Sequence, residues 1–281
     1  MLAIVLALGS SLAWGVSDFL GGLKSRTFPL FVVLLISQGA ALIVLTMIVA
    51  AIGEPPPGGE FLLYAALAGI AETVGVAALY RGLAVGVMSI VAAVAATAPV
   101  VPLVVGLALG EEPGSGQAAG IALAVVGIVI TACRSEPGDG PDHAVAPSVL
   151  FGALCALGFG SFYVAMDAAS EGEIQWALLF ARGTAVAVFL VAVALTRPAP
   201  VPRGSEVPVI ALIGLLIIAA DAMYATASTK GILGVVAALS TLYPIVTIAL
   251  ARLYLREQVE PRQRLGIALS LSGVVAISAG V

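Results

Sequence analysis

Very little in this chain offers conventional enzyme chemistry. It has one histidine and two cysteines, and charged residues make up only 10%. A single histidine leaves no multi-histidine metal site, and neither HExxH nor GxSxG occurs. The histidine, His143, lies in a polar loop and reads as solvated. Cys133 and Cys155 sit in or beside apolar runs and read as small core residues, not as a disulfide. No basic cluster is present, which removes nucleic acid as a partner. No polar segment is long enough to hold a nucleotide-binding domain, so ATP is not the driver. Met1 onward lacks a basic leader, so the first apolar run reads as a span and not as a cleaved signal.

What is there is hydrophobic. Apolar residues make up 61% and the mean hydropathy is +1.15. A soluble domain is about half apolar and about a quarter charged. So few charges cannot cover this much apolar surface, and the chain reads as an integral membrane protein whose first partner is the bilayer.

The apolar sequence repeats itself. Gly86–Gly127 and Gly231–Gly273 align at an offset of about 145 positions. Val91-Ala92-Ala93 falls on Val236-Ala237-Ala238, Pro99 on Pro244, and Glu112 on Glu257. After one extra loop residue, Gln117 meets Gln263 and Gly120-Ile121-Ala122-Leu123 meets Gly266-Ile267-Ala268-Leu269. Shared Pro, Glu and Gln in one register distinguish a duplication from a chance match of apolar runs.

A bilayer core about 30 Å thick needs roughly 20 apolar helical residues to cross it. Ten stretches qualify, approximately 2–22, 30–52, 61–81, 84–108, 116–134, 148–170, 174–196, 207–229, 232–255 and 262–280. The expected fold is an all-α polytopic membrane protein of ten transmembrane helices in two five-helix repeats. Residues 1–134 form the first repeat, 135–147 a linker loop, and 148–281 the second. Five is odd, so the second repeat enters the membrane inverted. The cations agree with that expectation. Lys24, Arg26, Arg81, Arg134, Arg197, Arg203, Arg252, Arg256, Arg262 and Arg264 fall at alternate loops on one side. Lys230 alone falls on the other side and Arg182 lies inside span 7, which completes the 12 Lys and Arg. Cations collect on the cytoplasmic side, which puts both termini outside the cytoplasm.

These residues resemble the drug/metabolite transporter superfamily, and within it the ten-span group built from two EamA-type repeats. The resemblance rests on Ala13-Trp14-Gly15 and Phe159-Gly160, on Pro99 and Pro244, on Glu112 and Glu257, and on the Gly-Ile-Ala-Leu entries to spans 5 and 10. It implies export or exchange of small metabolites or drugs across the inner membrane, usually driven by an ion gradient. An uncoupled facilitator or a lipid-linked-sugar flippase of the same fold is the alternative; an intramembrane enzyme or a non-transporting scaffold is a more distant one. Inverted repeats are by themselves a device of secondary transporters, with the site near the midplane. No cofactor or metal is implied. Two fused repeats complete the pair within one chain, so a monomer is expected, with a weak dimer as the alternative.

Charge inside a span is costly and marks a candidate site. Glu72 lies near the middle of span 3 and Asp221 near the middle of span 8, the equivalent helix. A carboxyl group in a low-dielectric interior favours its neutral form, which makes both candidate proton carriers. Asp18 follows Ser11 and Trp14 along one face of span 1, suited to a polar cavity wall. Arg182 can bind an anionic group, pair with an acid, or snorkel to the interface. Tyr80, Tyr224 and Tyr243 supply rings and hydroxyls, with Ser228 one turn beyond Tyr224. Pro99 and Pro244 are expected to kink spans 4 and 9. Gly116 and Gly120, with Gly266 and Ser270, predict close packing of spans 5 and 10.

Overall fold

A computed structural model describes residues 1–108, 114–132, 145–170, 173–228, 230, 239–240, 242–257 and 259–279. Glu112, Cys133, Arg134, His143 and most of the first half of span 9 lie outside these residues. Of Ser228 only the backbone, at the end of its helix, is described.

The described elements are helices. They are α1 (Leu2–Lys24), α2 (Leu30–Ile52), α3 (Gly59–Val85), α4 (Met88–Ala95), α5 (Val100–Ala108) and α6 (Ser115–Ala132). The second half gives α7 (Val145–Ser170), α8 (Ile174–Thr196), α9 (Glu206–Ser228), α10 (Tyr243–Leu255) and α11 (Pro261–Ala279). Long apolar runs form helices because lipid offers backbone N–H and C=O groups no partner, and a helix satisfies them internally. Seven segments are long and apolar enough to cross a membrane: the runs of α1, α2, α3, α7, α8 and α9, and Met88–Gly106. Ser115–Ile130 and Tyr243–Leu255 are shorter apolar helices. Breaker residues set the ends. Gly53, at φ +76°, closes α2 in the left-handed conformation and returns its N–H to the Val49 carbonyl.

The two prolines do not bend continuous helices. Residues 96–99 form a turn between α4 and α5, and Pro99 closes it immediately before Val100. The span is therefore divided. Pro244 occupies the first turn of α10, where a missing N–H removes no helical hydrogen bond. The expected kinks are, in the structure, a break and a helix start.

The packing pattern survives exchange of the two halves. Helix α3 packs on α7 and α8, and its counterpart α9 packs on α1 and α2. Likewise α4 and α5 pack on α7, while α10 packs on α1. Helices α2 and α8, α4 and α10, and α6 and α11 meet as pairs. Small residues allow the closest crossings. A Cβ on Gly158 would stand 2.5 Å from the Gly75 nitrogen, so α3 and α7 touch backbone to backbone. In the α6–α11 pair, Gly120 faces the Gly273 carbonyl and Gly127 faces Gly266 and Ser270. The small-residue motif in these two helices thus marks a true contact, with Gly127 and Gly273 added to it.

Polar contacts gather particular helix ends together. At one end, Lys24 Nζ lies 2.5 Å from Glu206 Oε2. Arg26 donates to the Leu83 carbonyl at 3.2 Å and stands 3.9 Å from Glu257. The Val87 N–H donates to Ser148 Oγ at 2.8 Å. Elsewhere, Trp176 Nε1 donates to the Glu54 carbonyl at 3.0 Å, tying the start of α8 to the loop after α2. A buried cluster that includes Phe19, Leu34, Leu79, Leu83, Met88, Phe189, Ile210 and Ile213 fills the interior near the first of these ends. Large apolar side chains such as Leu8, Ile48, Leu67 and Leu190 point outward, as lipid requires.

Candidate functional site

Five helices deliver polar side chains to one place. Arg182 comes from α8, Glu72 from α3, Gln38 from α2, Asp221 from α9 and Trp14 from α1. Arg182 Nη1 donates to Glu72 Oε1 at 2.5 Å and also to Gln38 Oε1. Its Nη2 stands 3.6 Å from Asp221 Oδ2. The other oxygen of Asp221 accepts from Trp14 Nε1 at 3.0 Å. Two aromatic rings complete this side. Trp14 lies 5.8 Å from Tyr224 and 6.2 Å, edge to face, from Tyr243.

Each partner is placed by the helix it sits on. Glu72 and Gln38 lie on the buried sides of α3 and α2, in the layer where both helices meet α8. Arg182 is flanked by Ala181 and Ala185, both buried, which keeps the α8 backbone close to its neighbours. The Arg182 and Glu72 side chains are 9% and 10% exposed, whereas Asp221 is 34% exposed. The cluster therefore has a closed side, at Arg182–Glu72–Gln38, and an accessible side, at Asp221–Trp14. With both acids ionised it carries two negative charges and one positive. Taking such groups out of water costs several kcal/mol per ion, and fork-like pairing of the guanidinium offsets that cost. Arg182 does not snorkel; it turns inward and pairs with acids on two other helices.

Most of the sequence-predicted residues converge. Glu72, Asp221, Arg182, Trp14, Tyr224 and Tyr243 share this constellation. Asp18 and Tyr80 do not; they lie further along α1 and α3. Pro99 lies outside it, and Pro244 adjoins it only through its neighbour Tyr243. Gln38 is a member that the search for charges within spans does not single out. Its signal is the Ser37-Gln38 pair, which interrupts an otherwise apolar α2 and is buried, Gln38 being 1% exposed.

Glu257 has a separate role. Its carboxylate accepts from the Met88 N–H at 2.8 Å, the Ser89 N–H at 3.2 Å and the Ser89 hydroxyl at 3.0 Å. It thus caps the N-terminus of α4 from another part of the chain, where the helix dipole favours an anion. A cavity of about 240 Å³ lies between α10 and α11, lined by Arg252, Arg264 and apolar side chains, away from the Arg182 cluster. Among the described residues no group of three His, Cys, Asp or Glu is placed to hold a metal ion.

The model of the EamA-like transporter family matches residues 1–133 and again residues 146–279. One solved structure, described only as the crystal structure of a protein, is 18% identical with a TM-score of 0.63. The likeness covers 98% of this chain and 95% of that one, and it shows a shared fold. No curated protein matches.

Proposed function

The chain belongs to the EamA-like transporter family, and on that premise we propose a secondary transporter that moves a small organic solute by alternating access. Membership makes it a multi-pass membrane protein of the drug/metabolite transporter type. The finer reading is an exporter or exchanger, coupled to protons, in the inner membrane. One observation carries it: a guanidinium and two carboxylates from three helices of both halves meet inside the membrane-spanning bundle. An intramembrane charge cluster of this kind marks a substrate or ion pathway.

In this reading ten spans form two inverted repeats joined by the linker expected at 135–147, with the cluster at the interface of the halves. Support comes from the exchange of packing partners between halves. It comes also from the polar contacts that bring the C-terminal end of α1 and the N-terminal end of α7 to one end of the bundle. Lys24 and Arg26 lie at that end, beside Glu206 and Glu257, and we assign it to the cytoplasm with both termini opposite. A solute enters on the side of Asp221, Trp14, Tyr224 and Tyr243, where a carboxylate and three rings are accessible. One chain holds both repeats, so a monomer suffices.

The test is a thermal-shift screen of the purified protein against amino acids, nucleosides, sugars and lipophilic cations, followed by counterflow of the best stabiliser in proteoliposomes. Saturable counterflow in the wild type and its loss in Asp221→Asn are expected. Counterflow that survives Asp221→Asn removes this cluster from the pathway.

A further inference from the structure

The cavity between α10 and α11 is built from two matching faces. On α10 it is lined by Ile245, Ile248 and Arg252, at spacings of three and four. On α11 it is lined by Arg264, Ile267 and Leu271, at the same spacings. Residues spaced in this way share one side of a helix. Helix α10 ends at Leu255 and α11 begins at Pro261, so the chain turns back between them. Both arginines therefore stand at one mouth of the groove. From that mouth the apolar side chains run inward for about 10 Å, at 1.5 Å per residue. Both helices pack on α4, and the groove is the space left between them.

The charge at this mouth is not neutralised. Among the described residues neither Arg252 nor Arg264 forms an ion pair. Arg264 gives only its Nε, to the Val259 carbonyl at 2.8 Å. Arg256 and Arg262 are exposed on the same connection. Of the two acids there, Glu257 is held by the α4 N-terminus and faces Arg26, and Glu260 is exposed. Helix α11 has no acidic residue in its first turn, where the helix dipole favours an anion. Leu253, Tyr254 and Leu265 are exposed close to the arginines. Exposed apolar and tyrosine side chains beside arginine mark the boundary between hydrocarbon and headgroups. The Arg26–Glu257 contact places this boundary at the end assigned to the cytoplasm.

We propose that this groove binds an anionic phospholipid. Its phosphate sits between Arg252 and Arg264, and part of one acyl chain lies against Ile245, Ile248, Ile267 and Leu271. Guanidinium groups take phosphate oxygens in charge-assisted pairs. A free phosphate would leave the apolar floor uncovered. A lipid with a cationic headgroup would bring a like charge to two arginines. The volume of about 240 Å³ is below the roughly 300–1,000 Å³ of sites that enclose a small molecule. It suits a ligand whose remainder stays in the bilayer. Basic pockets between membrane helices on the cytoplasmic side hold anionic headgroups by the same physics. The inference needs only a membrane-embedded chain, and it stands apart from the transport reading.

The experiment titrates the full chain in detergent with phosphatidylglycerol, with phosphatidylcholine of the same acyl chains, or with inorganic phosphate. Lipid retention is read by native mass spectrometry, and the unfolding temperature is followed with all three. Phosphatidylglycerol should be retained in preference to phosphatidylcholine and should raise the unfolding temperature, and inorganic phosphate should not. Arg252→Gln with Arg264→Gln should weaken phosphatidylglycerol about thirtyfold, roughly fivefold for each arginine. Arg203→Gln, in the loop after α8, should leave it unchanged. Ala268→Phe keeps both charges and fills the groove that Ala268 lines, so it should also weaken retention. It carries the test if the double variant does not fold. Equal retention of the two lipids overturns the proposal. So does undiminished phosphatidylglycerol binding in the double variant or in Ala268→Phe. Stabilisation by inorganic phosphate equal to that by phosphatidylglycerol would make the ligand a free anion, and it overturns the lipid assignment.

Discussion

Arg182 on α8 and Glu72 on α3, 110 positions apart, place Nη1 and Oε1 at 2.5 Å inside the helical bundle. Neither helix end nor loop brings them together. The contact exists because α3 packs on α8 and both residues lie in the same layer of that interface.

Arg182 is therefore the residue whose loss costs most. Arg182→Ala leaves Glu72 and Asp221 without a counter-charge, and removing one partner of a buried pair costs about 3–5 kcal/mol. Arg182→Lys keeps the charge but not the planar fork, and should be destabilised by less. Thermal unfolding of both variants in the same detergent checks the order; an alanine variant as stable as the wild type would show that the pairing contributes nothing.

The Glu257 carboxylate should hold the start of α4 in place. Glu257→Ala removes the acceptor for two backbone N–H groups and one hydroxyl. A lost cap costs about 1 kcal/mol. Amide hydrogen exchange at Met88 and Ser89 should accelerate about fivefold, at roughly 1.4 kcal/mol per tenfold, while amides in α2 stay as they were. Equal protection in the variant would show that the cap is not used in solution.

The α3–α7 crossing depends on the absence of two side chains. Gly158→Ala would put a Cβ 2.5 Å from the Gly75 nitrogen and 2.6 Å from its Cα. Backbone cannot move aside as a flexible side chain can, and overpacking of this kind costs about 1–3 kcal/mol. The expected result is a lower unfolding temperature. Gly183→Ala, which meets nothing within 4 Å, serves as the control and should be neutral.

Much of this was legible in the sequence, and for physical reasons. Long apolar runs have one solution in lipid, so the helices at Leu2–Lys24, Leu30–Ile52 and Ile174–Thr196 follow closely from composition. Charges in such runs are costly enough to stand out, which is why Glu72, Asp221 and Arg182 could be named. Their meeting could not be read, because a helix apolar all round does not reveal which face meets which neighbour. Gln38 is not legible in this way, because an uncharged amide interrupts a span far less visibly than an acid does. For Pro99 and Pro244 the sequence shows the lost donor but not whether the helix continues past it, so a break or a helix start looks the same as a kink. The repeat pairs Glu257 with Glu112, yet its partners, Met88 and Ser89, lie 169 and 168 positions away.

The central claim is that the Arg182–Asp221 cluster lines a path open to each side of the membrane in turn. Tyr224→Cys, in a protein with Cys133 and Cys155 replaced by alanine, puts one thiol beside Trp14. Sealed, oriented vesicles are treated with a membrane-impermeant maleimide from the outside or from the lumen. Alternating access predicts labelling from both sides, and protection from both by the solute that stabilises the protein. Labelling from neither side, or from one side only with or without that solute, would contradict it.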